Sequence, residues 1–437
     1  MKFRSGAPCK TGRRFEVATV KIAVIGAGAS GLLAASMLAK AGAEVTLFER
    51  NDRVGKKLSI TGKGRCNLTN NCTPAQVLEN VVSNQKFLFS AINSFTPSDT
   101  MEHFESLGVP LKTERGRRVF PQSDKASDVV KALEKDALSS GVTIVLNSWV
   151  TAIRKVGEEI LVTACGKEEK FDCAVVATGG ASYKGTGSSG DGYDLARSLG
   201  NKICTIRAAL VPIYVKEDIS SLAGLSLKNV SLSLRRAQKS ISLFGEMLFM
   251  HKGVSGPVVL SLSSLSEKFV DGNGEFLPGS ALYIDLKPAL DEEKLDKRIL
   301  RDLSEGHTKA LKNILPALMP KSLIAFALAQ AGISPSKRAC DLTAPERERL
   351  VLAVKGLKFT PERLGSVDEG IITCGGVDVK EIDPRDFSDK KAAGVYFIGE
   401  VLDVDALTGG YNLQIAFSTA AACARGIARK YNLRAND

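Results

Sequence analysis

Three glycines and one acid near the N-terminus have the types and spacing that bind a dinucleotide. Gly26, Gly28 and Gly31 form a G-x-G-x-x-G pattern, and Glu49 ends the apolar run that follows. In such a pattern the first glycine makes a tight turn, the second admits backbone N–H groups to a pyrophosphate, and the third lets a helix approach the sheet. A carboxylate at the end of the next strand binds the adenosine ribose hydroxyls. These four residues therefore predict a binding site for an adenine dinucleotide.

The residues around these glycines predict the strand–helix–strand unit that the pattern requires. Residues 22–25 are an apolar run, 32–41 are rich in alanine and leucine, and 43–49 contain a second apolar run. We expect the helix to begin at Ala29 and Ser30, where the positive end of the helix dipole would face the phosphates. Because every part of the unit occurs in order, the pattern indicates a Rossmann-like α/β domain rather than an isolated glycine turn.

A second cofactor-facing unit is predicted near the C-terminus. An apolar run at 394–398 ends in Gly399 and Glu400, and a Gly-Gly pair precedes a helix that leads to about residue 430. A cofactor held at both units must be long, so FAD fits better than NAD, and Glu400 could bind the ribityl hydroxyls of FAD. The N–H groups at the helix start would face the flavin pyrimidine edge. The residues predicted for this unit are Gly399, Glu400, Gly410, Tyr411, Asn412 and Leu413.

Two stretches between these units complete the predicted cofactor site. The loop 55–71 combines three glycines with three lysines and one arginine, a composition that can approach phosphates closely. The apolar run that ends at Ala177 continues into Thr178, Gly179 and Gly180, where parallel strands finish beside a ligand. The other predicted contacts are Arg50, Lys57, Gly64, Arg65, Cys66, Asn67 and, beside the adenine, Val150. A further glycine-rich match at 185–190 is interpreted as a loop that caps the helix 191–199, because no acid-terminated strand follows it.

Length and composition indicate a multidomain soluble protein. The 437 residues exceed one ordinary domain, and 44% are hydrophobic and 24% charged. No apolar run reaches the roughly 18 residues of a membrane helix, so no membrane partner is expected. Nine cysteines occur without a C-x-x-C pair, so we expect neither disulfides nor a metal site, and a cytoplasmic location.

The pattern of predicted strands and helices divides the chain into an interrupted FAD-binding domain and an insert. Residues 1–20 are a basic N-terminal extension, and 21–203 and 357–437 form the two parts of the FAD-binding domain. We expect residues 204–356 to form the inserted domain, with a β-sheet or barrel part at about 204–287 and a helical part at about 288–356. Within the β part, the β-branched run 258–262 is expected to be a strand.

The motifs resemble those of the BaiN-like family of bacterial NAD(P)/FAD-dependent oxidoreductases, two-dinucleotide-binding-domain flavoproteins also described as aminoacetone oxidase family enzymes. The matching segments are 26–31, 62–67, 177–180, 186–193, 245–257, 374–377 and 409–414. The resemblance runs from residue 21 to about residue 430 and implies FAD, an inserted domain with β and helical parts, and a reductase-like role. This chain departs from the family at Ala406 and at Lys63, where glycine is common.

These observations predict an FAD-dependent oxidoreductase. The favoured form is a reductase that passes electrons from NAD(P)H through non-covalent FAD to a small organic substrate. No second strand–glycine–helix unit with a terminal acid is visible, so NAD(P)H is expected to bind only transiently. Catalytic residues are not fixed by the sequence; His251 and Arg65 are candidates for groups within reach of substrate. The oligomeric state is open.

Four alternatives remain beside this reading. An oxidase of a small amine would use the same cofactor, and a flavin-binding redox protein would lack turnover. A nucleic-acid-modifying flavoenzyme is suggested by the net charge of +11, but much of the excess lies at the termini and no aromatic-interleaved basic patch is visible, so nucleic acid is not the expected partner. A disulfide reductase would need Cys66 and Cys72 as a redox pair, and their spacing is one residue longer than such enzymes use.

Overall fold

A five-stranded parallel sheet forms the centre of the first structural unit. The computed structural model describes residues 19–434, so nearly all of the predicted basic extension lies outside the described residues. Each strand pairs in parallel with its neighbours, which brings the carboxyl ends of all five strands to one edge. In spatial order the strands are Val395–Phe397, Cys173–Val176, Lys21–Ile25, Glu44–Phe48 and Thr143–Val145.

Helices and three small antiparallel sheets surround this sheet. The helix Ala29–Lys40 follows the central strand and packs against the long helix Tyr411–Lys430, so the two ends of the chain share one core. The small sheets are Val150–Val156 with Glu159–Ala164 and Lys167–Phe171; Thr69–Asn70 with Arg118–Pro121 and Leu111–Thr113; and Val81–Ser83 with Asp405–Ala406. The other helices of this unit are Thr61–Gly64, Pro74–Glu79, Phe89–Ser94, Pro97–Ser106, Ala126–Ser139 and Asp191–Ser198.

The insert is built on a seven-stranded antiparallel sheet with its own hydrophobic core. Its two edge strands, Leu357–Phe359 and Pro361–Leu364, follow each other in the chain with only Thr360 between them, so the sheet curls back on itself like a barrel. The other strands, in spatial order, are Ala281–Asp285, Ser226–Arg236, Lys239–Phe249, Gly253–Ser255 and Ile213–Val215. The helices of the insert are Pro257–Ser264, Glu292–Glu305, Leu311–Ile314, Lys321–Ala331 and Ala344–Lys355.

Two antiparallel strands, Ile203–Ala209 and Ile372–Val377, connect the insert to the parallel-sheet unit. The α/β fold with a β-sheet or barrel part and a helical part in the insert is therefore confirmed. The boundary predicted at residue 356 differs from the strand pairing. Residues 357–364 pair with strands of the insert rather than returning to the FAD-binding unit.

The expected strand at 258–262 is wrong. Pro257–Ser264 is an α-helix that starts directly after Gly256, whose φ of +93° favours glycine. Pro257 occupies the first turn, where its missing N–H costs no hydrogen bond. Val258, Val259 and Leu262 are buried in the core of the insert, so packing on one helix face outweighs the β preference of valine.

Residues 19–434 contain no single membrane-spanning helix, no cluster of metal ligands and no disulfide bond. No single helix there is long and apolar enough to span a membrane, although Leu311–Ala317 and Lys321–Ala331, bent by 119°, meet the length and composition test as a pair. Within the same residues, no three His, Cys, Asp or Glu side chains are grouped as metal ligands would be. The eight cysteines in this part of the chain are free thiols.

Candidate functional site

One continuous cavity at the carboxyl edge of the parallel sheet joins the two predicted cofactor units. It extends from Glu49 after the second strand to Leu413 in the first turn of the C-terminal helix. Fifteen of the predicted cofactor residues line it, as follows: Gly26, Gly28, Ala29, Ser30, Glu49, Arg50, Lys57, Asn67, Val150, Thr178, Gly179, Glu400, Gly410, Asn412 and Leu413. The structure thus brings together residues that lie almost 400 positions apart in the chain.

The three glycines of the first turn have different surroundings. A Cβ on Gly26 would lie 2.6 Å from the Ala177 carbonyl oxygen, and one on Gly31 would lie 1.9 Å from the Gly26 carbonyl oxygen. A Cβ on Gly28 would meet no atom within 4 Å. Gly26 and Gly31 therefore permit close packing of the turn, whereas Gly28 borders the open cavity where a pyrophosphate would lie.

Glu49 is buried and fixed in position at one end of the cavity. Its carboxylate accepts hydrogen bonds from the Ala27 N–H at 2.9 Å, from the Asn51 N–H at 2.8 Å and from the Asn51 side-chain amide at 2.7 Å. The Asn51 amide also donates to the Thr186 carbonyl at 3.0 Å. The acid is therefore oriented by the glycine turn on one side and by a second loop on the other.

That second loop, 185–190, does more than the cap predicted from the sequence. It precedes the helix Asp191–Ser198, and Thr186, Gly187 and Ser188 also line the cavity. Gly187 lies against Asn51, since a Cβ there would be 2.5 Å from the Asn51 amide nitrogen. Sequence reasoning missed this wall because it tested the loop only for a second nicotinamide unit.

Arg50 and Trp149 form the outer part of this end of the cavity. The Arg50 guanidinium donates to Ser189 Oγ at 2.5 Å and to the Asp191 carboxylate at 2.6 Å. It also lies 5.2 Å from the centre of the Trp149 ring, which is half exposed. Trp149, like Asn51, was not predicted; its neighbour Val150 was.

A lysine–glutamate pair lines the middle of the cavity. Lys57 Nζ donates to Glu400 Oε2 at 2.8 Å and to Ser182 Oγ at 2.9 Å. The same carboxylate accepts from the Thr373 N–H at 3.0 Å. Gly180 permits this close arrangement, because a Cβ there would lie 2.8 Å from Glu400 Oε1. The pair holds the basic loop after the second strand against the C-terminal unit.

The C-terminal helix begins at the other end of the cavity. Gly410 precedes it with φ of +100°, and a Cβ there would lie 2.4 Å from the Thr69 carbonyl oxygen, so glycine is required. The Asn412 side chain accepts from the Ala406 N–H at 2.9 Å and donates to the Ala406 carbonyl at 2.8 Å. The side chain of Asn412 therefore points to the loop at Ala406, the position where this chain differs from the glycine common in the family. The backbone of the turn remains free to face the cavity.

The cavity lining combines apolar, neutral polar and charged side chains. A group of apolar residues lies beside the C-terminal helix and the strands that lead to the insert: Leu210, Ile371, Ile372, Leu407 and Leu413. Other apolar residues, Phe48 and Val150 among them, lie in the part that contains Glu49. The Lys57–Glu400 pair is close to Ile371, because Ser182 Oγ accepts from Lys57 and donates to the Ile371 carbonyl at 3.3 Å.

The residues present fit FAD. Asn67 Oδ1 and Thr178 Oγ1 are buried at the cavity without a hydrogen-bond partner among the described residues, as expected of groups that bind a ligand. Three basic side chains, Arg50, Lys56 and Lys57, line the same cavity as Gly28, with Arg50 paired to Asp191 and Lys57 to Glu400, and the start of the C-terminal helix supplies N–H groups. When bound, FAD would supply a carrier of two electrons and a hydride.

Several predicted site residues do not line the cavity. Gly31, Gly180 and Gly399 provide close packing around it, while Gly64 and Tyr411 lie outside its lining. Arg65 binds the carboxylates of Glu114 and Asp124, which raise its pKa, and stacks 4.2 Å from the centre of the Phe120 ring. His251 is exposed and is not part of the lining. The structure therefore gives no support to a direct role for His251 or Arg65 with substrate.

Cys66 is a buried thiol rather than half of a redox pair. It is fully buried, and burial raises its pKa to about 12. It lies outside the cavity lining, and both Cys66 and Cys72 are free. A thiol of this pKa stays protonated at neutral pH and is a poor nucleophile, which argues against the disulfide reductase alternative.

Comparison with known proteins places this geometry in a family. The model of the HI0933-like protein Rossmann domain matches residues 20–426. The chain belongs to this family. The family is one of FAD-dependent oxidoreductases, so this HI0933-like chain is an enzyme of that class, with FAD as its cofactor.

Two curated relatives resemble the HI0933-like chain over nearly its full length. It is 32% identical over 415 residues to the ribosomal RNA dihydrouridine synthase of Haemophilus influenzae, covering 93% of this chain and 98% of that protein. It is 31% identical over 413 residues to the 3-dehydro-bile acid delta(4,6)-reductase of Clostridium scindens, covering 94% and 99%.

A solved structure shares the fold. The 3-ketosteroid delta1-dehydrogenase of Sterolibacterium denitrificans, in complex with 1,4-androstadiene-3,17-dione, aligns with a TM-score of 0.50 at 14% identity. The alignment covers 94% of this chain and 100% of that one. At this identity the likeness concerns the fold of the HI0933-like chain alone.

Proposed function

We propose that this enzyme reduces a carbon–carbon double bond conjugated to a carbonyl group, with NAD(P)H as the electron donor. The names of the two relatives share this chemistry. Dihydrouridine is uridine with its ring double bond saturated next to a carbonyl, and a delta(4,6)-reductase acting on a 3-dehydro compound saturates a double bond conjugated to a ketone.

The observation that carries the proposal is the group of apolar side chains that lines the cavity beside the C-terminal helix and the strands that lead to the insert. Hydride addition to a conjugated double bond needs a site from which water is excluded, and Leu210, Ile371 and Leu413 provide apolar walls there. In the overall reaction a hydride supplied by NAD(P)H through FAD would join the β-carbon and a proton from solvent would join the α-carbon, so that the double bond gains two hydrogens. The Asn67 side chain lines the cavity, and its buried Oδ1 has no hydrogen-bond partner among the described residues, so we assign this acceptor to an N–H group of the ring that is bound there.

Transient use of NAD(P)H is supported by the position of the second glycine loop. Thr186, Gly187 and Ser188 form a wall beside Glu49 and Asn51, so this loop belongs to the predicted FAD site. Within residues 19–434, the loop is thereby removed as the best candidate for a separate nicotinamide unit. The donor would then bind over the flavin end of the same cavity.

The substrate we favour is a uracil base in RNA. One near full-length relative carries the name ribosomal RNA dihydrouridine synthase. This choice differs from the expectation of a free small-molecule substrate without nucleic acid. The relative named as a bile acid reductase favours that small-molecule alternative.

Anaerobic stopped-flow spectroscopy tests the proposal. The flavin of the purified enzyme should be bleached by NADH or NADPH, and the reduced flavin should be reoxidised by a single-stranded oligouridylate or by a steroid enone. Amines that bleach the oxidised flavin without a nicotinamide donor would support the oxidase alternative instead. Failure of every conjugated acceptor to reoxidise the flavin would overturn the proposal.

A further inference from the structure

A basic turn of the FAD-binding unit, residues 115–118, is connected to the cavity lining through the side chain of Asn70. The Asn70 amide donates both to the Gly116 carbonyl and to the Gly409 carbonyl, each at 3.0 Å. Gly409 lines the cavity, and Gly116 is the centre of the turn 115–118, which contains three arginines. The Arg65–Glu114 ion pair places the loop 62–65 beside the same turn, and Gly62 of that loop also lines the cavity.

The insert contributes the facing surface. Arg115 donates to Asn229 Oδ1 at 2.6 Å and lies 3.6 Å from a Glu246 oxygen, so the turn contacts the outer face of the hairpin formed by Ser226–Arg236 and Lys239–Phe249. Phe244 is two residues from Glu246 and therefore lies on the same face of its strand. Its side chain is 59% exposed, which is unusual for a phenylalanine in a folded domain.

The charges around this contact are mostly positive and unpaired. Lys63, Arg117 and Lys228 are exposed, and none forms an ion pair with a described residue. Of the nearby acids, Glu246 is paired with Arg115 and Glu114 with Arg65. We call the group of Lys63, Arg115, Arg117, Lys228 and Phe244 the mouth surface.

We infer that the mouth surface binds the single-stranded RNA that flanks the reacting base, an inference that rests on the proposed function. Lysine and arginine side chains bind phosphates without regard to sequence, and an exposed aromatic ring stacks on an unpaired base. The combination suits a single strand better than a duplex, because bases in a duplex are not free to stack on a protein ring. The cavity then receives the base that is reduced.

Fluorescence anisotropy with a labelled single-stranded oligouridylate tests this surface on the full-length holoenzyme. Lys63→Gln, Arg117→Gln and Lys228→Gln should each lower the slope of log affinity against log salt by about 0.7, the value for one lost phosphate contact on a single strand. Phe244→Ala should weaken binding about tenfold with little change in that slope. Flavin absorbance of each variant shows that it is folded.

Matched controls lie elsewhere on the molecule. Lys155→Gln and Lys167→Gln remove exposed lysines of the small sheet 150–171, and Phe89→Ala removes a phenylalanine that is 63% exposed. The controls should bind the oligouridylate like the wild type. Equal losses of oligouridylate affinity in the control and mouth-surface variants, or no loss in the mouth-surface variants, would overturn the assignment of RNA binding to the mouth surface.

The failure of this inference can be told apart from failure of the proposed function. A wild-type enzyme that reduces a steroid enone but does not bind the oligouridylate would overturn the mouth surface and leave the reductase in place. Conversely, the wild-type enzyme could bind the oligouridylate through the mouth surface while no conjugated acceptor reoxidises its reduced flavin. That result would overturn the proposed reductase activity and support RNA binding by the mouth surface.

Discussion

The buried carboxylate of Glu49 accepts a hydrogen bond from the backbone N–H of Ala27 at 2.9 Å. This contact joins the acid that ends the second strand to the glycine turn that ends the first. The two features that most strongly indicate a dinucleotide in the sequence are therefore one structural unit, and a change in the acid must also disturb the turn.

Replacing Glu49 with alanine should weaken FAD binding by about 1–3 kcal/mol, because Ala27 N–H and Asn51 lose their acceptor and the ribose hydroxyls lose a partner. Titration of the apoprotein with FAD, followed by flavin fluorescence, measures this loss. Glu44→Ala is the control, since Glu44 is exposed on the same strand and pairs only loosely with Lys21. Equal affinity of the Glu49→Ala and Glu44→Ala variants would refute the role of Glu49.

Two valine substitutions should distinguish a glycine needed for cofactor binding from a glycine needed for packing of the fold. Gly28→Val should fold with a near wild-type melting temperature and fail to bind FAD, because the position is extended and open to the cavity. Gly31→Val should lose thermal stability, because its Cβ would collide with the Gly26 carbonyl. Circular dichroism melts of the apoproteins and FAD titrations report the two effects. A Gly28→Val variant that retains FAD would contradict the placement of the pyrophosphate beside Gly28.

Cys66 should be unreactive in the folded enzyme. Burial raises its pKa to about 12, so the thiol remains protonated and inaccessible at neutral pH. Iodoacetamide labelling followed by peptide mass spectrometry should modify the exposed Cys165 and Cys340 well before Cys66. Cys66→Ala should keep reoxidation of the flavin by substrate; loss of that step alone would revive a redox role for the thiol.

Ionisation of the buried Asp405 carboxyl group should lower the free energy of unfolding as pH rises. It is buried opposite Ser83 with no hydrogen-bond partner for either oxygen among the described residues, and burial raises its pKa above 3.8. The folded state then holds its proton more tightly than the unfolded state, so the free energy of unfolding falls as pH rises from about 3.8 through the higher folded-state pKa. Asp403 raises the pKa further, while Ser83, Cys374 and Arg207 lower it, and the effect of burial is the largest.

The measurement for Asp405 is a set of melting temperatures between about pH 4 and about pH 7. Relative to the wild type, Asp405→Asn should gain stability as pH rises across this window. Asp194→Asn, at an exposed residue paired with Arg197, should show no such trend. Parallel pH profiles for the wild type and Asp405→Asn would contradict a raised pKa.

The parts of the site that could be predicted are those whose signal is local in sequence. The turn at Gly26–Gly31, the acid at 49 and the glycine pair before the C-terminal helix each combine a backbone requirement with an adjacent strand or helix. The roles of Asn51 and the loop 185–190 in the cavity wall could not be predicted, because they depend on a contact between segments about 135 positions apart. The side-chain chemistry of His251 and Arg65 suggests a role with substrate, but only the fold shows that His251 is exposed outside the cavity and that Arg65 is neutralised by two acids.

The fold of the insert shows the same limit. Its curled sheet depends on residues 357–364 returning to pair with strands more than 70 positions earlier, which no local pattern reveals. The helix Pro257–Ser264 has a β-branched sequence, and its conformation is decided by burial in that core.

The most direct test of the central claim is the mass of the product. The holoenzyme is incubated without oxygen with NADPH or NADH and either a single-stranded oligouridylate or a steroid enone, and the acceptor is analysed by mass spectrometry. A gain of two hydrogen masses in one acceptor, dependent on both FAD and the nicotinamide donor and lost in Gly28→Val, is the predicted result. An acceptor of unchanged mass in every reaction, with the flavin fully reduced, would contradict the assignment as a reductase of conjugated double bonds.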